Sequence, residues 1–334
     1  MSIVIIKPGI LDTIQDLGRP GWSWIGVGPG GAMDRLAAMI ANALTGNDIH
    51  LPVIEIHYPG PQILFEQDAL ITITGGDFDA GLNDEPIPSW KPVLIRKNTV
   101  LQFPTLKGGA RAYLAVQGGF RIDPWLNSYS THLKAGVGGW KGRRLEKGDE
   151  LFFQQTGSGV SSLFRSENNF QFLPWTPDVL KFYNNPNEIL FIPGNEWPDL
   201  TLQSKADLTS TGYRIRGLSD RMGYHLEGNL LELTEPKEMV SAAVSFGTIQ
   251  LLPSGRLVIL MADHQTTGGY PRVGHVISAH LPKLAQLNPG ETIGFKQVDV
   301  ETAEELLISQ QQELRVMARA CEDRLNRFYE VCRS

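Results

Sequence analysis

A dense group of polar residues follows a strongly apolar stretch near position 260. Residues 257–261 read Leu-Val-Ile-Leu-Met, which predicts a buried strand. Glycines let backbone N–H groups come close to a ligand, and a buried strand at one end would hold the polar groups in place. The segment is therefore a candidate site, and its alternative is a solvated loop that only turns the chain. It supplies a carboxylate, an amide, hydroxyls, glycines and a guanidinium from Asp263, Gln265, Thr266, Thr267, Gly268, Gly269, Tyr270 and Arg272.

Two further charged clusters lie beside glycines. One joins Arg19 to Asp16, and the other joins Arg221 to Asp220. Taken alone, each cluster is better interpreted as an ordinary surface ion pair, which contributes little to stability.

The glycine-rich stretch 26–31 fits the pattern G-x-G-x-x-G, and Glu55 lies 24 residues beyond Gly31. This spacing superficially matches a dinucleotide-binding site. The preceding residues 22–25 make a poor buried strand, and the rest of the chain lacks alternating strands and helices. A glycine-rich turn that enters a helix is the better interpretation, and its backbone N–H groups can still hold an anion.

Missing motifs exclude several other chemistries. Gly-Lys never occurs, which excludes a P-loop, and no G-x-S-x-G elbow is present for an esterase nucleophile. His275 and His280 stand five residues apart with no cysteine near them, a spacing that does not predict a zinc site. The chain also lacks Ala-Met-Lys-Met, so we expect no biotin attached to it by that motif.

The composition is that of an acidic protein with a packed core. Hydrophobic residues make up 42% and charged residues 20% of the 334 residues. The net charge of -6 argues against nucleic acid or an anionic membrane as a partner. No apolar run approaches the ~18 residues that span a bilayer, and residues 2–6 do not resemble a signal peptide. Cys321 and Cys332 would lie about 16 Å apart on one helix, so two free thiols and a cytoplasmic location are expected.

Short strands separated by glycine and proline turns dominate the remaining pattern. Apolar alternation and β-branched residues predict strands at 3–6, 53–58, 62–65, 70–74, 93–95, 112–117, 189–192, 213–215, 230–233, 248–252 and 257–261. Helices are predicted at 33–44 and 278–287 from their apolar stripes. A long last helix is predicted to begin at a capping box formed by Thr302 and Glu305. Residues 157–187 are rich in Ser, Asn and Pro, which indicates a linker.

Long strings in both halves resemble one protein family. In the first half they are 13–19 (Thr-Ile-Gln-Asp-Leu-Gly-Arg), 31–34 (Gly-Ala-Met-Asp) and 112–116 (Ala-Tyr-Leu-Ala-Val). In the second half they are 219–224, 247–250 and 260–271. In this order, over about residues 3–298, the chain is similar to the family of 5-oxoprolinase C subunits, also called allophanate hydrolase subunit 2, a module shared with urea carboxylase. Tyr129 departs from the family pattern, which usually has an arginine there, and so removes a positive charge and paired donors.

The resemblance implies a mainly β fold with a few helices. It consists of two cyclophilin-like β-barrel domains plus a long C-terminal helix. The first domain is expected to span residues 1–165 and to include helix 33–44. The second is expected at 188–300, and the C-terminal helix at 301–334. A faint echo between 31–35 and 219–223 agrees with a duplicated architecture.

The resemblance also implies an activity, the ATP-dependent hydrolysis of 5-oxo-L-proline to L-glutamate. The expected partners are a smaller cyclophilin-like subunit and a lactam-binding third subunit, and the expected cofactors are ATP and Mg²⁺. Under this hypothesis Arg221 and Arg272 bind anionic groups of substrate or phosphate, beside Gly268, Gly269 and Tyr270. Hydrogen bonds come from Gln265, Thr266 and Thr267, and Asp263, with Asp34 as a second candidate, binds metal or acts as base.

Two alternatives stay open. The first is carboxyl transfer from carboxybiotin to a urea-like or amide acceptor, which requires a separate biotin carrier. The second is a non-enzymatic antagonist of a histidine-kinase inhibitor, in which the long terminal helix docks a partner. An apolar stripe on such a helix is more typical of packing against its own domain.

Overall fold

The computed structural model describes residues 2–154, 163–164, 168–235 and 238–333, with side chains described to residue 331. By the packing of its backbone the chain divides into two compact units. Unit 1 comprises Met1–Gly18, Asp34–Val179 and Gln312–Ser334, and unit 2 comprises Arg19–Met33 and Leu180–Gln311. The predicted domain boundaries stay a prediction. The division by packing differs from them because residues 19–33 join unit 2 and the last helix contributes to both units.

Unit 1 is built from two six-stranded sheets. Their orders are β11-β1-β4-β9-β6-β7 and β12-β8-β5-β10-β3-β2, with antiparallel pairing throughout the registers described. Buried Ile, Leu, Val and Phe side chains from both sheets form one apolar core, because alternate residues of a strand point to the same face. The strands are β1 (Ser2–Lys7), β2 (Thr13–Gln15), β3 (Val53–His57), β4 (Gln62–Phe65), β5 (Ala69–Asp77), β6 (Gly81–Leu82), β7 (Glu85–Pro86), β8 (Val93–Ile95), β9 (Thr99–Gln102), β10 (Gly108–Val116), β11 (Glu150–Phe152) and β12 (Phe170–Phe172).

Unit 2 contains a closed barrel, so the mainly β fold is confirmed. Seven strands close in the order β13-β20-β17-β18-β15-β14-β21, and β16 pairs with β19 as a separate two-stranded ribbon. Strands β13 and β21 are parallel, and the other barrel pairs are antiparallel. The strands are β13 (Glu188–Pro193), β14 (Gly212–Ile215), β15 (Gly223–Glu227), β16 (Ala242–Ala243), β17 (Thr248–Leu251), β18 (Leu257–Leu260), β19 (Thr267–Gly268), β20 (Arg272–Val276) and β21 (Thr292–Gln297).

Five α-helices occur in the described part of the chain: α1 (Arg35–Leu44), α2 (Leu180–Tyr183), α3 (Leu202–Ser210), α4 (Leu281–Ala285) and α5 (Val300–Arg333). Helix α1 buries an Ala- and Leu-rich face against β5 and β10, which confirms the predicted helix at 33–44 with a start two residues later. The predicted helix at 278–287 is a 3-10 turn, Ser278–His280, that continues into α4.

The long C-terminal helix is confirmed, but the capping box predicted at its start is wrong. Helix α5 begins at Val300, and the carboxylate of Asp299 accepts the backbone N–H of Thr302 at 2.8 Å. Asp299 is therefore the N-cap, and the Thr302–Glu305 box lies inside the first turn. An aspartate one turn earlier satisfies the same free N–H groups that a capping box would satisfy.

The predicted strands are confirmed with small changes at their ends, except residues 230–233. In that segment only Leu233 makes a β-bridge, to Leu200. The backbone N–H of Leu231 instead bonds the carbonyl of Gly255, and that of Glu232 bonds the Ser204 hydroxyl. A turn and a helix terminus therefore accept the backbone hydrogen bonds of this apolar stretch, and pairing in a sheet is not needed.

Three further predictions concern a linker, two free thiols and the absence of a membrane-spanning helix. The predicted linker at 157–187 lies partly outside the described residues. Cys321 is a buried free thiol, and the side chain of Cys332 lies outside the described part. No helix among the described residues is both long and apolar enough to cross a bilayer.

Candidate functional site

Strand β18 holds the start of the candidate segment. It runs between β15 and β17 in the barrel, and its four residues are buried. Two backbone bonds continue the register past its end: Met261 N–H donates to the Met222 carbonyl at 2.9 Å, and Asp263 N–H donates to the Arg221 carbonyl at 2.8 Å. The polar segment therefore leaves the barrel in a fixed direction.

Arg221 and Asp263 form a paired ionic contact. Arg221 Nε and Nη2 lie 2.8 and 2.9 Å from the two oxygens of the Asp263 carboxylate. Nη2 also donates to the Gly31 carbonyl at 2.7 Å. The Arg221 side chain is 5% exposed and the Asp263 side chain 17%. Two parallel bonds between a guanidinium and a carboxylate fix both side chains, so this pair ties the candidate segment to the glycine-rich loop at 26–31.

Two glycines of the loop at 26–31, Gly28 and Gly30, lie close to the candidate segment. A Cβ at Gly28 would lie 2.8 Å from the His264 carbonyl oxygen. A Cβ at Gly30 would lie 2.9 Å from Nη1 of Arg19 and 3.7 Å from Asp263 Oδ1. Residues Ser23–Ile25 before this loop form a 3-10 turn, which agrees with rejecting a dinucleotide site. Glycine is needed here because backbone and charged groups approach too closely for a side chain.

Arg272, at the start of β20, forms a second ionic pair with Glu196. Nε and Nη2 lie 3.1 and 2.9 Å from the two carboxylate oxygens, and the Arg272 backbone N–H also donates to Oε2 at 2.8 Å. The hydrogen bond to Glu196 raises the pKa of the Arg272 guanidinium. Burial, and then the Arg272 charge, lower the pKa of the neighbouring His275, so its imidazole is held in the neutral form.

Between the two ionic pairs the segment forms a short ribbon with exposed donors. Strand β19 pairs with β16, so that Gly268 faces Ala242 and Thr267 faces Ala243. Thr266 and Gly268 are half-buried. The exposed positions of this ribbon and its ends are Gln265, Thr267, Gly269 and Tyr270.

A buried glutamine lies directly beneath the ribbon. Gln250 of β17 is 2% exposed, and its amide nitrogen has no hydrogen-bond partner among the described residues. A Cβ at Gly268 would lie 2.4 Å from that nitrogen, so a side chain at this position would displace the Gln250 amide. A buried donor without an acceptor is uncommon and usually has a functional or structural reason.

The far end of the segment borders a cavity of about 760 Å³ within unit 2. Gly269, Tyr270 and Pro271 form one wall. The rest of the lining is mainly apolar, with two carboxylates, and consists of Leu230, Leu231, Glu232, Leu233, Glu238, Met239, Leu251, Leu252, Pro253, Ser254 and Gly255. A concave, mostly apolar cavity beside a few polar groups is the usual form of a small-molecule site.

Asp34, the second predicted acid, lies in unit 1 and caps α1. Its carboxylate accepts the Ala37 N–H at 2.9 Å, and its own N–H donates to the Tyr113 hydroxyl at 2.8 Å. Tyr113 in turn donates to Glu55 at 2.9 Å, and all three residues are buried. Burial raises the pKa of Tyr113 well above its usual value. The structure thus places Asp34 in a buried helix-terminal network.

Tyr129, the departure from the family pattern, also lies in unit 1. Its backbone N–H donates to Asp16 at 2.6 Å, and the Ser128 hydroxyl donates to the same carboxylate at 2.7 Å. The Ser130 hydroxyl also bonds Asp16. The Tyr129 side chain packs against the apolar core of unit 1. Asp16 therefore fixes this loop, and an aromatic ring takes the place where the family has an arginine.

The predicted Mg²⁺ ligands do not suit a metal in this arrangement. Both oxygens of Asp263 face Arg221, and Asp34 bonds the start of α1. Among the described residues no three His, Cys, Asp or Glu side chains are grouped as a metal site would require. Mg²⁺ prefers several free oxygen ligands, so we assign no step to a metal held by this chain alone.

Glu196, Gln250 and Arg19 belong to this region, although the sequence did not predict them as members of it. Gln250 stands in the string Gly-Thr-Ile-Gln that carried the family resemblance, and a buried strand that ends in an amide was the available signal. Glu196 lies 76 residues before Arg272 in the chain, and no local pattern connects them. The ionic partners of distant arginines depend on barrel closure, which periodicity does not reveal.

Comparison with known proteins gives a consistent result. Residues 25–297 match the family model described as carboxyltransferase domain, subdomain A and B. The chain is 39% identical to the 5-oxoprolinase C subunit of Haemophilus influenzae over 294 residues, which cover 88% of this chain and 90% of that protein. It is 35% identical to the 5-oxoprolinase C subunit of Escherichia coli over 301 residues, covering 90% and 92%.

The fold has a matching solved structure. The crystal structure of the Kluyveromyces lactis urea carboxylase superposes with a TM-score of 0.83 at 27% identity. The match covers 95% of this chain and 29% of that chain. The present chain thus spans less than a third of the length of this larger relative.

Proposed function

Because the chain belongs to the family of carboxyltransferase domains, subdomain A and B, we propose that it is a subunit of a cytoplasmic, ATP-dependent 5-oxoprolinase. The reaction is the hydrolysis of 5-oxo-L-proline to L-glutamate. The observation that carries the proposal is the 35–39% identity to two 5-oxoprolinase C subunits along most of both chains. The partners are a smaller cyclophilin-like subunit and a lactam-binding third subunit.

The chemistry of the segment 263–272 supports a role in binding the lactam. The substrate presents a ring carbonyl and a carboxylate, and both accept hydrogen bonds. Gln265 and Thr267 offer an exposed amide and hydroxyl, next to two glycines in a segment that an ionic pair holds at each end. Donors fixed before the reaction stabilise a developing oxyanion without reorganisation.

In this proposal the two arginines position the segment. Arg221 and Arg272 each make two bonds to a carboxylate of their own unit, so their fork-shaped donors already have acceptors. Arg221 and Asp263 hold the first end of the segment, and Arg272 and Glu196 hold the second. ATP and Mg²⁺ bind in the assembled enzyme with groups from the other subunits, and this chain supplies the substrate contacts at 265–270.

The test is an assay of the complex co-purified with its two partner subunits. We expect 5-oxo-L-proline and ATP to yield L-glutamate and ADP, with no product when this chain is omitted. Absence of ATP-dependent glutamate from a fully assembled complex would contradict the proposal. Failure of the three subunits to assemble would contradict the proposed partners.

The superposition with urea carboxylase favours carboxyl transfer as a second candidate. The same donors would then stabilise an anion formed at a urea-like or amide nitrogen. Carboxybiotin from a separate carrier, offered with urea, distinguishes the two, because only a carboxyltransferase would consume it. A complex that turns over neither substrate favours the third hypothesis, a non-enzymatic antagonist of a histidine-kinase inhibitor.

A further inference from the structure

A serine beside the candidate segment is linked to a histidine of the barrel through a buried threonine. Thr248 opens β17 and stands opposite His275 of β20. Its hydroxyl oxygen, Oγ1, lies 3.2 Å from Ser245 Oγ and 3.2 Å from His275 Nδ1. Ser245 is exposed, Thr248 is completely buried and His275 is half-buried. The three side chains therefore form a continuous line of hydrogen-bonding groups from an exposed position to β20.

The bonds at Thr248 give this line a direction. Thr248 Oγ1 also accepts the backbone N–H of Ser245 at 3.0 Å. A hydroxyl has one proton and two lone pairs, so Oγ1 keeps one proton and one lone pair for its two other neighbours. It therefore accepts from one of them and donates to the other. Reversing both bonds reverses the direction, which is the property that lets a chain of hydroxyls pass a proton.

Ser245 lies on the same face of the β16–β19 ribbon as the donors of the candidate segment. The pairing of the two strands continues one residue further, because the Val244 N–H donates to the Thr266 carbonyl at 3.2 Å. The next step of this antiparallel register places Ser245 opposite Gln265. Burial agrees, because exposed and half-buried residues alternate along both chains of the ribbon. Opposite residues point to one face, so Ser245 lies beside the exposed groups of Gln265 and Thr267.

We propose that Ser245, Thr248 and His275 form a proton relay of the candidate site, in which Ser245 meets the substrate and His275 is the base. This inference rests on the proposed function and adds to it a path for the proton of the attacking water. A lone pair of the water oxygen forms the bond to the lactam carbon, and the carbonyl π pair moves to the carbonyl oxygen. The water proton passes to Ser245 Oγ, the Ser245 proton to Thr248 Oγ1 and the Thr248 proton to His275 Nδ1, which leaves an imidazolium.

The same path returns the proton. When the C–N bond of the lactam ring breaks, its electron pair stays on the nitrogen. The imidazolium proton then moves back through Thr248 and Ser245 to that nitrogen, and the net reaction consumes one water, as lactam hydrolysis requires. No proton has to pass through Asp263 or Asp34, whose carboxylates bond Arg221 and the start of α1.

The charged groups around His275 set the pH range of the relay. Burial, and then the Arg272 charge, lower the pKa of His275, whereas the carboxylate of Glu196 raises it. Of the strands that flank β20, β17 has no titratable residue, and β13 has only Glu188, four residues before the one that pairs with His275. The ribbon strands β16 and β19 have none. The base is neutral at pH 7, so kcat/KM should rise as the pH is raised through the lowered pKa of His275.

Kinetics of the assembled complex with 5-oxo-L-proline and ATP test the relay. Thr248→Val removes the middle hydroxyl, and we expect kcat to fall about a hundredfold with KM close to that of wild type. Thr248→Ser restores the hydroxyl and should recover most of kcat. The control Thr209→Val, at an exposed position of α3, should have wild-type kinetics. A wild-type kcat in Thr248→Val, or no recovery in Thr248→Ser, would overturn the relay.

The variant Ser245→Ala removes the exposed end of the relay without changing a buried side chain, so it keeps the test decisive if Thr248→Val does not fold. We expect a similar loss of kcat. The rise of kcat/KM through the pKa of His275 should also disappear, because the base no longer reaches the substrate. A wild-type pH profile in Ser245→Ala would contradict the relay.

Failure of the relay and failure of the proposed function give different results. A wild-type complex that forms no glutamate contradicts the proposed function, and the relay is then decided in the isolated chain. There, ¹⁵N NMR of the imidazole at pH 7, with His275→Gln to assign the signals, should show a shifted Nδ1 resonance in Thr248→Val and a wild-type one in Thr248→Ser. An Nδ1 resonance that is identical in wild type and Thr248→Val overturns the relay.

Discussion

Asp263 is the residue on which the arrangement of the site region depends most. Replacing it by asparagine removes the counter-charge of Arg221, which is 5% exposed. A buried guanidinium without its carboxylate is strongly destabilising. We expect Asp263→Asn to lower the free energy of unfolding of unit 2 by about 3 kcal/mol, measured by urea denaturation followed by hydrogen exchange of the β18 amides.

The matched control is Glu227→Gln. Glu227 also pairs with an arginine, Arg214, at 2.7 Å, but both side chains are at least half exposed. Water solvates either partner when the pair is broken, so the free energy of unfolding of this variant should be close to that of wild type. Equal destabilisation by the two substitutions would contradict a structural role for the Arg221–Asp263 pair.

Gly28 tests the close approach of the glycine-rich loop to the candidate segment. Alanine there would place Cβ 2.8 Å from the His264 carbonyl. We expect Gly28→Ala to cost about 1–3 kcal/mol through overpacking, measured as the shift of the urea midpoint. Gly217→Ala, where a Cβ meets no atom within 4 Å, is the control and should be neutral or slightly stabilising. A neutral Gly28→Ala would show that the loop does not pack there.

Asp12 makes the stability of unit 1 depend on pH. Burial raises its pKa from 3.8 to about 7, so the folded state takes up a proton that the unfolded state has lost. The stabilisation from the neutral carboxyl is complete below about pH 4 and is lost as the pH rises to 7. The difference corresponds to roughly 4 kcal/mol.

The variant Asp12→Asn keeps a neutral group and should remove this decline. We expect the free energy of unfolding of wild type to fall between pH 4 and 7 relative to Asp12→Asn, as measured by urea denaturation. Exposed Asp123→Asn serves as the control and should follow the wild-type profile. Parallel profiles for wild type and Asp12→Asn would refute the assignment.

At the scale of elements, the sequence predicted a segment correctly where it has a strong local pattern. Strand β18 is a continuous apolar run, and helix α1 has an apolar stripe, and both were predicted. Helix α3 was missed because only Ser204 and Leu208 of its nine residues are buried, so it has almost no apolar stripe. Residues 230–233 were wrongly assigned because their backbone N–H groups bond a turn carbonyl and a helix-terminal hydroxyl instead of a neighbouring strand.

The candidate segment shows the same limit. Its polar residues and its buried first strand were evident from composition and order. Their partners were not, because Glu196, Gly31 and Gln250 are distant from the segment in sequence and only the tertiary fold brings them close to it. An arginine whose sequence context shows no ionic partner is therefore found bound to a carboxylate in the structure.

The start of helix α5 provides a test at this scale. Asp299 accepts the Thr302 N–H, and hydrogen bonds from the Thr302 hydroxyl and then from its backbone N–H lower the pKa of the Asp299 carboxyl. The contribution of Asp299 to the stability of the helix start is therefore present above pH 4 and is lost as the pH falls through the lowered pKa. Asp299→Ala should speed hydrogen exchange of the Thr302 amide at pH 7, whereas Glu305→Ala should not. The reverse pattern would support the predicted capping box of Thr302 and Glu305.

At the scale of the whole molecule, this chain acts in our proposal as one subunit of a larger enzyme. Arg221 and Arg272 bind Asp263 and Glu196, Asp34 caps helix α1, and in the proposal the exposed donors at 265–270 bind the substrate. In the same proposal the ATP chemistry comes from the other subunits. Assembly is therefore the level at which activity should appear, and the isolated chain should hydrolyse no lactam.

The most direct measurement is kcat/KM for 5-oxo-L-proline in the assembled complex carrying the double variant Gln265→Ala with Thr267→Val. The control is Gln203→Ala with Thr209→Val, which changes the same residue types at exposed positions of α3 in the same unit. We predict a loss of about tenfold to a hundredfold for the segment variant, as two substrate hydrogen bonds are removed, and wild-type kinetics for the control. Wild-type kcat/KM in the segment variant would contradict the claim that residues 265–270 bind the substrate.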